Sequence, residues 1–123
     1  KWALAIEAPS TTSRDVQAVV RMTDTAVATS GDYRNYFESG GVLYSHTIDP
    51  RTGSPVTHAL ASVTVVHPSA AYADAMATAL LVLGPERGPA LARELGLAAN
   101  FLVRNDTNIE TLATPGFEEL DIE

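Results

Sequence analysis

The stretch Ala61-Ser62-Val63-Thr64-Val65-Val66 alternates with period two, and five residues later the pattern gives way to a run of Ala, Leu and Met over 71–83. Side chains alternate across a strand but recur every 3.6 residues around a helix, so a strand followed closely by a helix is imposed here. Gly84-Pro85 ends that helix, and 88–95 predicts a second one with Gly96 as its C-terminal cap. Short β-rich segments flank this unit: 2–6, 16–22, 26–29 and 43–48 before it, 100–104 and 110–113 after it. Strands, then two helices, then strands predict an α+β fold, an antiparallel sheet with two packed helices. A chain of 123 residues allows one compact domain, 1–123, and no internal repeat or low-complexity tract is visible.

Charge and cysteine usage narrow the chemistry. Fifteen acidic residues against eight basic ones leave a net charge of −7, which disfavours nucleic acid or an anionic membrane as a partner. The absence of cysteine excludes a disulfide framework, an Fe–S cluster and a thiolate zinc site. The three histidines are scattered, so a metal here must be held by oxygen ligands. The longest apolar stretch, 75–83, is interrupted by Thr78 and is too short to span a bilayer. The N-terminus shows no basic region, long apolar core or small-residue cleavage site, and it begins abruptly in a strand-like segment. That beginning suggests a processed or truncated chain.

Asp74 and Thr78 are four residues apart, on one face of the first helix. Their neighbours are almost all apolar, so the helix is expected to be buried nearly all round and Asp74 to need a partner. Two partners remain open. One is the N-terminal end of the helix, whose free N–H groups welcome an acid. The other is a hard cation such as Mg²⁺, held by the carboxylate and the Thr hydroxyl. His46 is placed in the 43–48 strand, which runs into the turn Asp49-Pro50-Arg51-Thr52-Gly53-Ser54-Pro55; such a turn is rigid enough to fix a side chain. A structural role for His46 is the competing reading. His58 and His67 read as surface or loop residues. The 30–37 block, polar and aromatic with a single Gly and Arg, reads by itself as a tight turn packed on the sheet.

Three segments together resemble a known family. Ala28-Thr29-Ser30-Gly31-Asp32-Tyr33-Arg34-Asn35-Tyr36-Phe37, Tyr44-Ser45-His46-Thr47-Ile48-Asp49-Pro50-Arg51-Thr52-Gly53 and Ala73-Asp74-Ala75-Met76-Ala77-Thr78-Ala79-Leu80 look like signature blocks of the ApbE family, in order and spacing. Thr114-Pro115-Gly116-Phe117 looks like its closing segment. The resemblance implies an FAD:protein FMN transferase: Mg²⁺-dependent cleavage of FAD, attachment of FMN to a Thr or Ser hydroxyl of an acceptor protein, and release of AMP. It implies Asp74 and Thr78 as metal ligands, His46 as general base and FAD contact, and Ile48 as a further FAD contact. It also implies a bacterial periplasmic protein or membrane-anchored lipoprotein. Family members are much longer, so 1–123 is expected to be the C-terminal portion of a larger ApbE-like (T-fold-like) domain, inactive by itself and either prone to self-association through its first strand or marginally stable. An FAD pyrophosphatase and a non-catalytic fragment are the alternatives.

Overall fold

The computed structural model describes residues 1–10, 12–33 and 36–123. In chain order the elements are β1 (Trp2–Glu7), β2 (Val16–Met22), β3 (Ala26–Gly31), β4 (Tyr36–Ser39), β5 (Val42–Ser45), β6 (Ile48–Asp49), β7 (Ser54–Pro55) and β8 (Leu60–His67). They are followed by α1 (Ala70–Glu94), β9 (Ala98–Asn105), β10 (Asn108–Ala113), α2 (Pro115–Glu118) and β11 (Asp121–Ile122). A four-stranded sheet of order β10-β9-β8-β3 and a three-stranded one of order β1-β2-β11 are both antiparallel, and β4-β5 and β6-β7 form two small hairpins. The expected α+β architecture is present. Thr11, and Arg34 and Asn35 in the 30–37 block, lie outside the described residues.

The best strand of the sequence becomes the centre of the molecule. Val63 and Val65 pack with Ala73, Ala77, Leu80 and Leu81 of α1, while Val66 joins Ile6, Val20, Leu102 and Phe117 on the other side. A strand covered on both faces needs no polar face, and β8 is buried from Leu60 to Val66. A register shift between Leu60 and Ser62 lets Leu60 share the face of Val63, against strict alternation. Leu80 and Leu81 are fully buried, each worth about 1.5–3 kcal/mol relative to exposure.

α1 starts where the side chains of 67–69 supply its missing acceptors. Ser69 Oγ accepts from the Tyr72 N–H at 3.2 Å, and His67 Nδ1 accepts from the Ser69 N–H at 3.0 Å, its ring 4.4 Å from that of Tyr72. His67 is thus a support of the helix start rather than a loop residue. The two expected helices form one element, with Gly84 out of helical geometry at φ 91°, ψ −177°. Residues 85–87 are helical too, because Pro85 stands at the start of a new turn, where its missing N–H is no loss. At the other end the Gly96 N–H donates to the Arg93 carbonyl at 3.1 Å with φ +66°, the left-handed cap expected.

Two local expectations change. The 43–48 strand is interrupted: β5 stops at Ser45, His46 lies in a bend, and β6 begins at Ile48. The helix is not buried all round. Ala73 and Ala77 face the sheet, but Asp74, Ala75, Thr78 and Ala79 are exposed, because α1 lies on one face of the sheet and covers it with one side only. Alanine is the strongest helix former, so an alanine-rich run marks helix rather than burial. No described helix is long and apolar enough to cross a membrane.

Candidate functional site

The exposed side of α1 faces a cavity of about 490 Å³, closed opposite by the end of β3 and the bend after β5; Ser30, Tyr33, His46, Thr47, Asp74 and Thr78 are among its lining residues. Antiparallel pairing sets β3 beside β8, with Ser30 opposite Val63, and α1 packs back over both strands. Ser30 Oγ lies 2.7 Å from Thr78 Oγ1, and Thr29 Oγ1 lies 2.8 Å from Thr64 Oγ1. Gly31 shapes the wall: a Cβ there would meet Tyr33 Cε1 at 2.7 Å, so only glycine lets that ring lie where it does.

Asp74 lies beyond the first helical turn, which holds no acidic residue, so the end-of-helix partner is not what the fold provides. Nor is Asp74 a buried charge in search of compensation. It stands exposed on the cavity side, one turn from the Thr78–Ser30 hydroxyl pair.

His46 comes to the same cavity from a short, braced bend. Ser45 Oγ accepts from the Thr47 N–H at 3.1 Å, and the Thr47 carbonyl accepts from the Val56 N–H at 3.0 Å. The hairpin that follows closes on Asp49, whose carbonyl accepts from the N–H groups of Thr52 at 3.2 Å and Gly53 at 2.8 Å, with Gly53 at φ +70°. Ile48 is 49% exposed in β6 and is not among the residues lining this cavity. Asp74, Thr78 and His46 are therefore brought together, and Ile48 is set apart.

Two charge pairs brace the segments next to the cavity without lining it. Arg51 Nη2 lies 2.7 Å from Asp49 Oδ2, and these hydrogen bonds from the guanidinium hold the Asp49 carboxyl down at about 2. Arg104 grips Asp32 with two bonds of 2.7 Å, joining the end of β9 to the residue after β3, and the Asp32 carboxylate raises Arg104 above its ordinary value. His58 lies in the loop between β7 and β8, as one of its expected placements, and is half-buried there: its Nδ1 accepts from the Leu60 N–H at 3.2 Å, and its ring packs near Gly84. Sequence reasoning missed Ser30 as the partner of Thr78, and Arg51 and Arg104 as the partners of Asp49 and Asp32. Arg51 was visible within a recognised rigid turn, whereas the Asp32–Arg104 pair spans 72 residues and left no signal.

Two carboxylates line the cavity, Asp74 and Glu7 of β1, together with the His46 ring and the hydroxyls of Thr29, Ser30, Thr47 and Thr78. Among the described residues no group of three His, Cys, Asp or Glu side chains could cage a metal alone. The Asp74 carboxylate beside the Thr78 and Ser30 hydroxyls offers oxygen ligands of the kind Mg²⁺ takes together with waters and substrate phosphates.

Known proteins share this chain's sequence and fold over nearly all of its length. The chain is similar to the FAD:protein FMN transferase of Vibrio cholerae, 46% identical over 117 residues, which are 95% of the chain and 35% of that protein. It is similar to the FAD:protein FMN transferase of Escherichia coli at 44% identity over 117 residues, 95% of the chain and 33% of that protein. It is similar to part of the flavinyl transferase ApbE of Pseudomonas stutzeri in its apo crystal form, with a TM-score of 0.79 and 50% identity over 97% of the chain and 36% of that structure. The ApbE protein of Thermotoga maritima superposes with a TM-score of 0.82 at 30% identity, over 95% of the chain and 37% of that structure. The chain spans about a third of the length of these relatives. The model of the ApbE family matches residues 1–101, and the chain belongs to that family.

Proposed function

We propose that this chain is the C-terminal portion of an Mg²⁺-dependent FAD:protein FMN transferase. The observation that carries the reading is the convergence of Asp74, Thr78 and His46 on one cavity from two separate elements. Asp74 and Thr78 would hold Mg²⁺ through the carboxylate and the hydroxyl. When bound, the ion neutralises charge on the pyrophosphate of FAD.

The chain's own groups do the rest. Ser30 holds the Thr78 hydroxyl in place, and the α1 backbone fixes both proposed ligands one turn apart. His46 accepts, at a ring nitrogen, the proton of the acceptor Thr or Ser hydroxyl as its oxygen attacks the FMN phosphorus. The new P–O bond joins FMN to the acceptor, the bond to the AMP phosphate oxygen breaks, and AMP leaves. The braced 45–47 bend suits this role, because phosphoryl transfer depends mainly on positioning and charge stabilisation.

The test uses the full-length polypeptide with FAD, Mg²⁺ and an acceptor protein, reading covalent flavin on the acceptor and AMP in solution. Asp74→Ala is expected to abolish Mg²⁺-dependent cleavage. His46→Ala is expected to slow transfer by about 10²–10⁴-fold with little change in FAD affinity. AMP release at the same rate without acceptor, with no covalent flavin formed, would replace transfer by FAD hydrolysis. Asp74→Ala with unchanged activity at limiting Mg²⁺ would remove the metal assignment.

A further inference from the structure

The hairpin that follows His46 is fastened to the helix that carries Asp74 and Thr78. Asp49 Oδ1 accepts from the Arg51 backbone N–H at 2.8 Å and from Nε at 3.0 Å, and Oδ2 accepts from Nε at 3.2 Å and from Nη2 at 2.7 Å. The guanidinium is thus held in a plane fixed by the turn. Its Nη2 reaches beyond the hairpin and donates to the Val82 carbonyl at 3.3 Å. Val82 sits just before the Gly84 break, where the first segment of α1 ends and its last carbonyls carry partial negative charge that a cation suits.

The lever arms on both sides are short. His46 precedes Asp49 by three residues, and 45–47 is tied into the hairpin by the Thr47–Ser45 and Val56–Thr47 hydrogen bonds. Val82 follows Thr78 by four residues, about one helical turn. Meanwhile α1 packs chiefly on β8, β3 and β9 and touches the hairpins only sparsely. A bond from the hairpin to α1 therefore bears directly on how far His46 stands from Asp74 and Thr78.

We propose that Arg51 is a positioning residue, which bridges the Asp49 turn and the Val82 carbonyl so that the His46 bend keeps a fixed place relative to the α1 face bearing Asp74 and Thr78. The inference rests on the function proposed above. Lysine is a poor substitute, since one ammonium cannot span both partners in the fixed fork of a guanidinium. Asp49 orients the Arg51 guanidinium, and it also braces the turn by accepting the Arg51 backbone N–H.

The experiment compares wild type, Arg51→Ala, Arg51→Lys, Asp49→Ala and the Asp49→Ala/Arg51→Ala double variant in the full-length polypeptide. It reads kcat and KM for FAD in FMN transfer, and hydrogen exchange at the amides of 47–53 and 82–84. Arg51→Ala is expected to lower kcat by about 10²-fold, the scale of a small misplacement at a reacting centre. KM for FAD should stay within about threefold, as for an interaction that matters in the transition state. Arg51→Lys should fall between, the double variant should lose clearly less than the two single variants combined, and exchange should accelerate in both windows. A merely structural role would move the melting temperature without this kcat-against-KM split. The proposal is overturned by Arg51→Ala with wild-type kcat, by a loss confined to KM, or by additive effects of the two substitutions. If the wild type transfers no FMN, the proposed function falls, and the bridge is then judged on exchange alone: unchanged rates at 82–84 in Arg51→Ala would refute it.

Discussion

The four-stranded sheet with α1 and the hairpin segment 36–55 both contribute walls to the cavity, yet they are held by different physics. In the first, Leu60, Val63, Val65, Leu80, Leu81 and Phe101 are fully buried, and position follows from packing. In the second, β4 is exposed throughout, Phe37 is 52% and Ile48 49% exposed, and position follows from a turn, a charge pair and backbone hydrogen bonds. Apolar burial is strong and non-directional, so it sets where the Asp74–Thr78 helix lies. Hydrogen bonds are weaker and directional, so they set where a single side chain such as His46 points.

Two phenylalanines give the widest test of that contrast. Phe101, fully buried between α1 and the sheet, is expected to cost about 3–5 kcal/mol on truncation in Phe101→Ala, read by denaturant unfolding. A loss below about 1 kcal/mol would mean that the sheet does not carry the stability. Next in size is Gly88→Val. A Cβ at Gly88 would stand 2.8 Å from the Leu80 carbonyl oxygen and 3.3 Å from Phe101 Cε1, and backbone cannot step aside, so overpacking of about 1–3 kcal/mol is expected. An unchanged denaturation midpoint would show that the second segment of α1 floats on the first.

The hairpin side should respond to acid instead. Its Asp49 carboxyl is held at about 2 by the Arg51 side-chain and backbone hydrogen bonds, below the ordinary 3.8. A depressed acid stabilises the fold fully above its unfolded value, and that contribution disappears as pH falls from about 4 through 2. An NMR titration should find the Asp49 midpoint near the lower end of that window, and Arg51→Ala should return it toward the ordinary value. A midpoint near 4 in the unaltered chain would show that the pair does not hold in solution. The smallest effect belongs to Phe37→Ala. The exposed Phe37 stacks on its half-buried cross-strand partner Tyr44 with ring centroids 5.1 Å apart, a pair worth about 0.2–1 kcal/mol. A loss as large as that of Phe101→Ala would erase the distinction between the two regions.

The same division governs what could be read from the sequence. Strands β1, β2, β3 and β8 and the start of α1 announce themselves by local pattern and caps, because burial of one repeating face leaves a period in the residues. The Asp74–Thr78 pair was legible as two residues on one helix face, but its exposure was not. A helix rich in alanine looks the same whether both sides or one side is covered. His46 was found and its bend was missed, because Tyr44-Ser45-His46-Thr47 has strand-like composition while the Ser45 and Val56 hydrogen bonds decide otherwise. Ser30 and Arg104 matter through partners 48 and 72 residues away, and no local pattern encodes such a meeting.

The three-stranded sheet has a mechanical consequence. β1 and β11 both pair antiparallel with β2, so they run in the same direction on its two sides, Trp2 opposite Met22 and Ile122 opposite Val20. Backbone bonds between Val19 and Glu123 and side-chain bridges from Lys1 to Asp121 and from Arg21 to Glu123 fasten the two ends to this sheet. Tension applied through residues 1 and 123 therefore pulls the outer strands in opposite senses along the axis of β2. The load falls on both ladders in shear, and their hydrogen bonds share it instead of opening one after another like a zip.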